Sequence, residues 1–299
     1  MTDLAGTVKA TVGILHPGAM GASVAAAARA GGATVLWASE GRSGATAARA
    51  TAAGLEDAGT LEALCQRAPI ILSVCPPDAA EALAETVIAT GFDGIFVDAN
   101  AIAPERARRI AGRIEAAGAR YVDGGIIGPP VAAASAACLY LSGGEAAAVA
   151  ALFEGSMLDA RVLDASPDRA SALKMCYAAQ TKGLTALLCA LVAAAEELGV
   201  REALFERWAG EEAGKPDHVA GAIRGVTAKA WRFEGEMREI AATLAGAGLP
   251  DGFHLAAADL YGRLAGFKDA GETPPLDAVL AALVGRGADP EGHLRLASE

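Results

Sequence analysis

Short apolar runs of strand type alternate with helical stretches through the first half of the chain, and the alternation ends near Pro167. The strand-like runs are residues 8–15, 34–37, 70–74, 94–98, 120–123 and 138–141, and residues 19–30, 78–88 and 104–116 between them are helical by composition. Brief β runs separated by helices of roughly ten residues predict a parallel, doubly wound sheet. Beyond Pro167 only helical periodicities remain, over residues 167–198 and 219–245. The expected fold is therefore α/β, a Rossmann-type doubly wound parallel sheet followed by an all-α helical domain. The domains are expected at residues 1–165 and 166–299, with the junction at residues 164–168.

Composition narrows the function. With 53% hydrophobic residues among 299 the chain has ample material for a core, which excludes disorder. Acidic residues outnumber basic ones, 36 to 25, for a net charge of −11. That balance, with no basic block, gives no footprint for nucleic acid or an anionic membrane. The uncharged run over residues 124–144 holds five glycines and Pro129-Pro130, which a membrane-spanning helix would not tolerate. The N-terminus, with Asp3 and Lys9, lacks the pattern of a signal peptide. Cys65, Cys75, Cys138, Cys176 and Cys189 are odd in number and lie in apolar segments, so they read as reduced core residues of a cytoplasmic protein. His16, His218, His254 and His293 share no ligand spacing, and no metal is expected.

After the first strand the chain reads Val12-Gly13-Ile14-Leu15-His16-Pro17-Gly18-Ala19-Met20-Gly21. A dinucleotide fingerprint is Gly-x-Gly-x-x-Gly between a strand and a helix. Gly18 and Gly21 supply its second and third glycines, and His16 replaces the first. Gly18 would let a pyrophosphate approach the helix N-terminus, and Gly21 would let that helix pack on the sheet. An ordinary βα turn has the same outline. After the second strand, Trp37-Ala38-Ser39-Glu40-Gly41-Arg42-Ser43 puts Ala38 where an NAD enzyme carries its acid. Ser39, Arg42 and Ser43 form a cradle for a 2′-phosphate, which Arg binds as a planar fork. Glu40 is the rival, at a spacing that also suits NAD. NADP is the expected cofactor, ahead of NAD.

Several motifs together resemble the β-hydroxyacid dehydrogenases, the group that includes 6-phosphogluconate and 3-hydroxyisobutyrate dehydrogenases. Gly18-x-Met20-Gly21 resembles that family's turn. Val97-Asp98-Ala99-Asn100-Ala101-Ile102-Ala103-Pro104 resembles its strand-end motif, and Asp123-Gly124-Gly125-Ile126-Ile127-Gly128-Pro129-Pro130 falls at its substrate segment. Lys174 matches its catalytic lysine. Residues 173–183, with Leu249-Pro250-Asp251-Gly252-Phe253-His254, look most like a branch whose C-terminal helical domain has no assigned function. Two departures stand out. Ala178 replaces the usual Asn four residues after the lysine, and Ile127 replaces a usual Ser.

The resemblance, with the reading of the residues above, implies a cofactor-binding set of His16, Pro17, Gly18, Ala19 and Met20 in the turn, Ser39, Arg42 and Ser43 after the second strand, Cys75 and Pro76 at a strand end, and Asn100. It implies Lys174 as acid–base catalyst and a substrate set of Gly125, Ile126, Ile127, Ala178, Thr181 and His254. A lysine, with an ordinary pKa of about 10.4, serves as a base near neutrality only where its surroundings lower that value. Tyr177, three residues on, is the second catalytic candidate. Glu236 and Glu239 read as solvated or paired. The expected reaction is hydride transfer between NADP(H) and a hydroxy or keto compound, bulkier and more apolar than the usual small hydroxy acids. An imine reductase or reductive aminase is the alternative, and a catalytically silent cofactor-binding regulator is the alternative of another class. The small-residue-rich second half and the resemblance imply a homodimer whose only other partner is a small-molecule substrate.

Overall fold

The computed structural model describes residues 10–131, 137–268 and 270–286. Val8 and Lys9, at the start of the expected first strand, and His293 lie outside them. The chain forms two compact units, Met1–Met175 and Cys176–Glu299.

The first unit runs β1 (Thr11–Ile14), α1 (Ala19–Ala30), β2 (Thr34–Trp37), α2 (Gly44–Ala52), β3 (Glu56–Asp57), α3 (Leu61–Arg67), β4 (Ile70–Ser73), α4 (Ala80–Ala89) and β5 (Ile95–Asp98). It continues through α5 (Pro104–Ala116), β6 (Arg120–Ile127), β7 (Cys138–Ser142), α6 (Ala146–Ala151), β8 (Asp159–Val162) and the start of α7 (Arg169–Ala178). The strands form one sheet in the order β3-β2-β1-β4-β5-β6-β7-β8. All neighbours are parallel except β6 and β7. This is the Rossmann arrangement, in which the strand order reverses between β1 and β4 and ligands gather at the carboxyl ends of the strands.

The central strands are buried on both faces, as a doubly covered parallel sheet requires. Val12, Ile14, Val35, Trp37, Leu72 and Val97 join one core layer, while Leu36, Ile71, Phe96 and Tyr121 join the other, the period-two division of a strand. Helix α5 starts with Pro104 in its first turn and buries Ala107, Ile110, Ala111 and Ile114, one face at helical spacing.

Strand β6 runs four residues beyond its expected end. Residues 124–127 were expected to form a glycine-rich substrate loop, and they are instead strand, because β7 pairs with them antiparallel: Gly125 with Tyr140, Ile126 with Leu139 and Ile127 with Cys138.

The second unit contains the end of α7, a single π turn (Ala179–Gly183), α8 (Leu184–Glu197), α9 (Arg201–Glu211), α10 (Lys215–Gly225), α11 (Ala230–Gly246), α12 (Gly252–Arg263) and α13 (Leu276–Leu283). The expected helix over residues 219–245 is thus two, parted at residues 226–229 by a short 3₁₀ turn. Val192, Met237, Ile240, Tyr261 and Leu280 are among its buried side chains. From Arg169 to Glu197 the chain is one helical run of 29 residues. Its most apolar window has the length and composition of a membrane span, and 39% of that window is buried within the protein. Core helices of water-soluble proteins meet the same measure.

Candidate active site

The glycine turn closes tightly, with the Gly18 N–H donating to the His16 carbonyl at 2.8 Å. No residue other than glycine has a positive φ among the described residues, so the turn accommodates His16 without backbone strain. Gly21 is a different matter: a Cβ there would stand 2.1 Å from the His16 carbonyl oxygen. Gly18 is the N-cap of α1 and has open space where its Cβ would be. No side chain caps this helix, and its first turn holds no acid. An uncapped helix N-terminus behind a bare glycine fits the pyrophosphate of a dinucleotide, whose charge the free N–H groups and the helix dipole favour.

Two arginines close on the same turn. Arg42 Nη2 donates to the Leu15 carbonyl at 3.2 Å, and its Nε is buried without a partner. Arg49 Nε donates to the Pro17 carbonyl at 3.1 Å. Burial, reinforced by the Arg42 charge, pushes the His16 imidazole down to about 4, so it is neutral at physiological pH. The neighbouring hydroxyls are already engaged. Ser39 hydrogen-bonds Asp57, whose carboxyl this bond and the Gly59 N–H hold below the usual range. Ser43 Oγ accepts from the Thr46 N–H as the N-cap of α2. Within the expected 2′-phosphate cradle, the buried Nε of Arg42 is therefore the group with unmet hydrogen-bonding capacity.

The Asn100 amide bonds within the sheet. Its Oδ1 accepts from the Cys75 N–H at 2.6 Å and its Nδ2 donates to Ser73 Oγ at 3.0 Å, which stitches the ends of β4 and β5 together. Burial pushes the Cys75 thiol up to about 12, which disfavours the reactive thiolate.

Lys174 projects from α7 onto β6, where its Nζ donates to the Ile126 carbonyl at 2.7 Å. Gly125 permits the approach: a Cβ there would lie 2.6 Å from the Ala170 carbonyl oxygen and 3.1 Å from the Lys174 Cβ. The first turn of α7 is tied to the same strand. The buried carboxylate of Asp123 accepts from the Ser171 N–H at 2.8 Å, from Ser171 Oγ at 2.6 Å and from Ser142 Oγ at 3.2 Å. Ser142 Oγ in turn accepts from the Ala170 N–H at 3.1 Å. Of the expected substrate residues on β6, Ile126 turns its side chain into the core, only 5% exposed, and offers its carbonyl instead. Ile127 is half-buried.

In the helical unit, Tyr177 is exposed and Thr181 Oγ1 bonds back to the Tyr177 carbonyl at 3.2 Å. Ala178 is buried, so it opens no room at its own position. His254 lies in the first turn of α12 and is buried. It packs on the π turn, its Nε2 2.9 Å from where a Cβ on Gly183 would be, and burial holds its pKa below the ordinary value. Lys182 of that turn pairs with Glu236 and lies over the Phe233 ring, its Nζ 4.6 Å from the centroid.

Motif reading passes over Arg49, and it quotes Asp123 without giving it a role. Arg49 sits inside an Ala-rich helix with no motif around it, and Asp123 gains its role from serines 19 and 48 residues away. Among the described residues no cluster of His, Cys, Asp and Glu is placed to hold a metal ion.

Residues 11–155 match the NAD binding domain of 6-phosphogluconate dehydrogenase, and residues 195–264 match a domain of unknown function, DUF1932. The conserved protein MTH1747, whose structure reveals similarity with 3-hydroxyacid dehydrogenases, is 28% identical over 85% of this chain and 97% of its own, with a TM-score of 0.63. The 3-hydroxyisobutyrate dehydrogenase of Mycobacterium tuberculosis, solved with L-serine, is 20% identical over 92% of this chain and 99% of its own, with a TM-score of 0.66. A reductive aminase from Aspergillus terreus, solved with NADPH and ethyl levulinate, is 20% identical over 93% of this chain and 99% of its own, with a TM-score of 0.53. At that identity the last two are likenesses of fold. No curated protein matches the chain in sequence. The two matched domains follow one another along the chain, and the chain belongs to the β-hydroxyacid dehydrogenase family, with a C-terminal helical domain of unknown function.

Proposed function

We propose that this NAD(P)-dependent oxidoreductase uses NADP(H) and acts on a hydroxy or keto compound bulkier and more apolar than the small hydroxy acids. The observation that carries the reading is Lys174, whose amine is held 2.7 Å from the Ile126 carbonyl near the end of β6. A bound nicotinamide would supply or accept the hydride. The protein's task is then the proton: the Lys174 amine takes it from the hydroxyl in oxidation and returns it to the carbonyl oxygen in reduction. Tyr177 is the second candidate for that proton. The buried, unpartnered Nε of Arg42 supports a 2′-phosphate beside the turn.

The working form is a homodimer in the cytoplasm. Leu184, Leu187, Leu191 and Leu198 are all exposed, and their spacing of three, four and seven residues sets them in one stripe along α8 and its end. Such a stripe supports pairing with a second copy. The five free cysteines support a reducing compartment.

The test follows NADPH consumption with keto acids, ketones, and ketones plus amine, beside calorimetry of cofactor binding. Turnover of a ketone alone supports the proposal. Turnover only with amine makes the protein a reductive aminase, and binding without turnover makes it a regulator. Lys174→Met should keep NADPH affinity nearly intact while lowering kcat by about 10²–10⁴, the size of a general acid–base contribution. Ordinary turnover in that variant would move the role to Tyr177 or to water.

A further inference from the structure

The lysine helix is pinned to β6 at two points. One is the amine of Lys174 on the Ile126 carbonyl, and the other, three residues earlier on each element, is Ser171 on the Asp123 carboxylate. Three residues of strand advance about 10 Å and three of helix about 4.5 Å, so the long lysine stem makes up the difference. Gly125 sits between the pins and lets the helix backbone come close.

We infer that Asp123 is the positioning residue for Lys174, clamping the first turn of the lysine helix to the strand whose Ile126 carbonyl receives the amine. The inference rests on the reading of Lys174 as the proton carrier. A helix leaves its first N–H groups without internal partners, and a side chain normally caps them from within the same helix. Here the cap comes from another strand. The Ser171 N–H goes to Asp123 and the Ala170 N–H to Ser142, which itself donates to Asp123. The carboxylate is fully buried, so water does not compete for these bonds. Its negative charge also lies at the positive end of the helix dipole. Asp168, at the same end, accepts from Arg108 and lets its own carbonyl take the Ala172 N–H, so it holds α7 to α5 and not to β6.

The experiment compares wild type, Asp123→Asn, Asp123→Ala and Ser171→Ala, each checked for a cooperative melt. Acetylation of each lysine by acetic anhydride is followed by peptide mass spectrometry, with Lys229 and Lys268 as internal references. Asp123→Ala should raise the relative rate at Lys174 about tenfold, the weight of one hydrogen bond to a charged group in the opening equilibrium. Ser171→Ala should raise it less, and Asp123→Asn, which keeps one acceptor oxygen, should restore most of the protection. On a substrate found by the panel, kcat should fall by about 10²-fold in Asp123→Ala, the cost of an ångström of misplacement, with the KM for NADPH little changed. Unchanged labelling of Lys174 in folded Asp123→Ala and Ser171→Ala overturns the inference. Altered labelling with unchanged kcat leaves the clamp standing and removes Lys174 from catalysis instead.

Discussion

Asp98 and Asp123 are partners in the parallel ladder of β5 and β6, and both are fully buried. Their carboxyls fare differently. Asp123 is met by three donors, while Asp98 receives the Asn100 N–H on Oδ1 and leaves Oδ2 without a partner. Burial pushes Asp98 up to about 7, with the nearby Asp123 charge adding to it, and burial raises Asp123 to about 6 against the pull of Ser171 and Ser142.

The pH dependence of stability follows. Both folded values lie above the unfolded 3.8, so the folded state binds more protons between about pH 4 and 7, and stability falls as pH rises through that window. Asp98→Asn removes the buried charge with little change of shape. It should match wild type near pH 4 and exceed it at pH 8 by on the order of 2–4 kcal/mol in urea denaturation. Equal stability of the two at pH 8 would show that Asp98 ionises without cost.

On the proposed reading, Arg42 and Arg49 have different tasks toward the cofactor. Arg42→Ala should weaken NADPH by about 10–100-fold more than NADH, the weight of a charge-assisted bond to phosphate beyond the brace that Arg42 shares with the turn. Arg49, bonded to the Pro17 carbonyl, braces the turn itself, so Arg49→Ala should weaken both cofactors alike. Calorimetry with both dinucleotides checks this. Equal loss for both in Arg42→Ala would remove the 2′-phosphate from that guanidinium.

What was legible in advance followed from burial. The interior strands β1, β2, β4 and β5 are short, largely apolar runs, almost wholly buried. The edge strands β3 and β8 were not legible: Glu56-Asp57 is exposed at both positions, and β8 mixes Asp159 and Arg161 into its run. The Gly124-Gly125 pair reads as a loop because glycine weakens a strand, yet Gly125 is there so that α7 can approach. Lys174 was singled out by resemblance alone, since one lysine in an apolar helix carries no signature of its own. The clamp under it joins Asp123, Ser142 and Ser171 across the fold, and no local pattern encodes such a contact.

Assembly should depend on the leucine stripe of α8. Leu184→Glu and Leu191→Glu place charges on positions that are already exposed, so the fold of one copy should tolerate them. Light scattering should give a dimer for wild type and a monomer for the double variant, with an unchanged far-ultraviolet spectrum. A monomeric wild type would sink the dimer. A double variant that remains dimeric would place the contact elsewhere.

Substrate preference should be set where β6 ends. Ile126 is turned into the core, which leaves Ile127 as the half-buried apolar side chain at the end of the strand, followed by exposed Gly128, Pro129 and Pro130. The two prolines offer no N–H to a carboxylate. A small, highly polar acid would therefore lose hydrogen bonds there, each worth about 1 kcal/mol and more for a charged group. An apolar substituent packed on Ile127 would gain about 25 cal/mol for each Å² removed from water. These two effects act in the same direction, toward bulkier hydroxy or keto compounds. Ile127→Ser reverses both, since it removes apolar surface and adds a hydroxyl donor. The ratio of kcat/KM for an aromatic keto compound to that for an acid the size of 3-hydroxyisobutyrate should fall by about 10-fold or more in this variant, the range that a few pocket atoms command. A wild type that already turns over the small acid best would mean that Ile127 does not face the substrate, and the preference would then have to be sought among side chains outside β6.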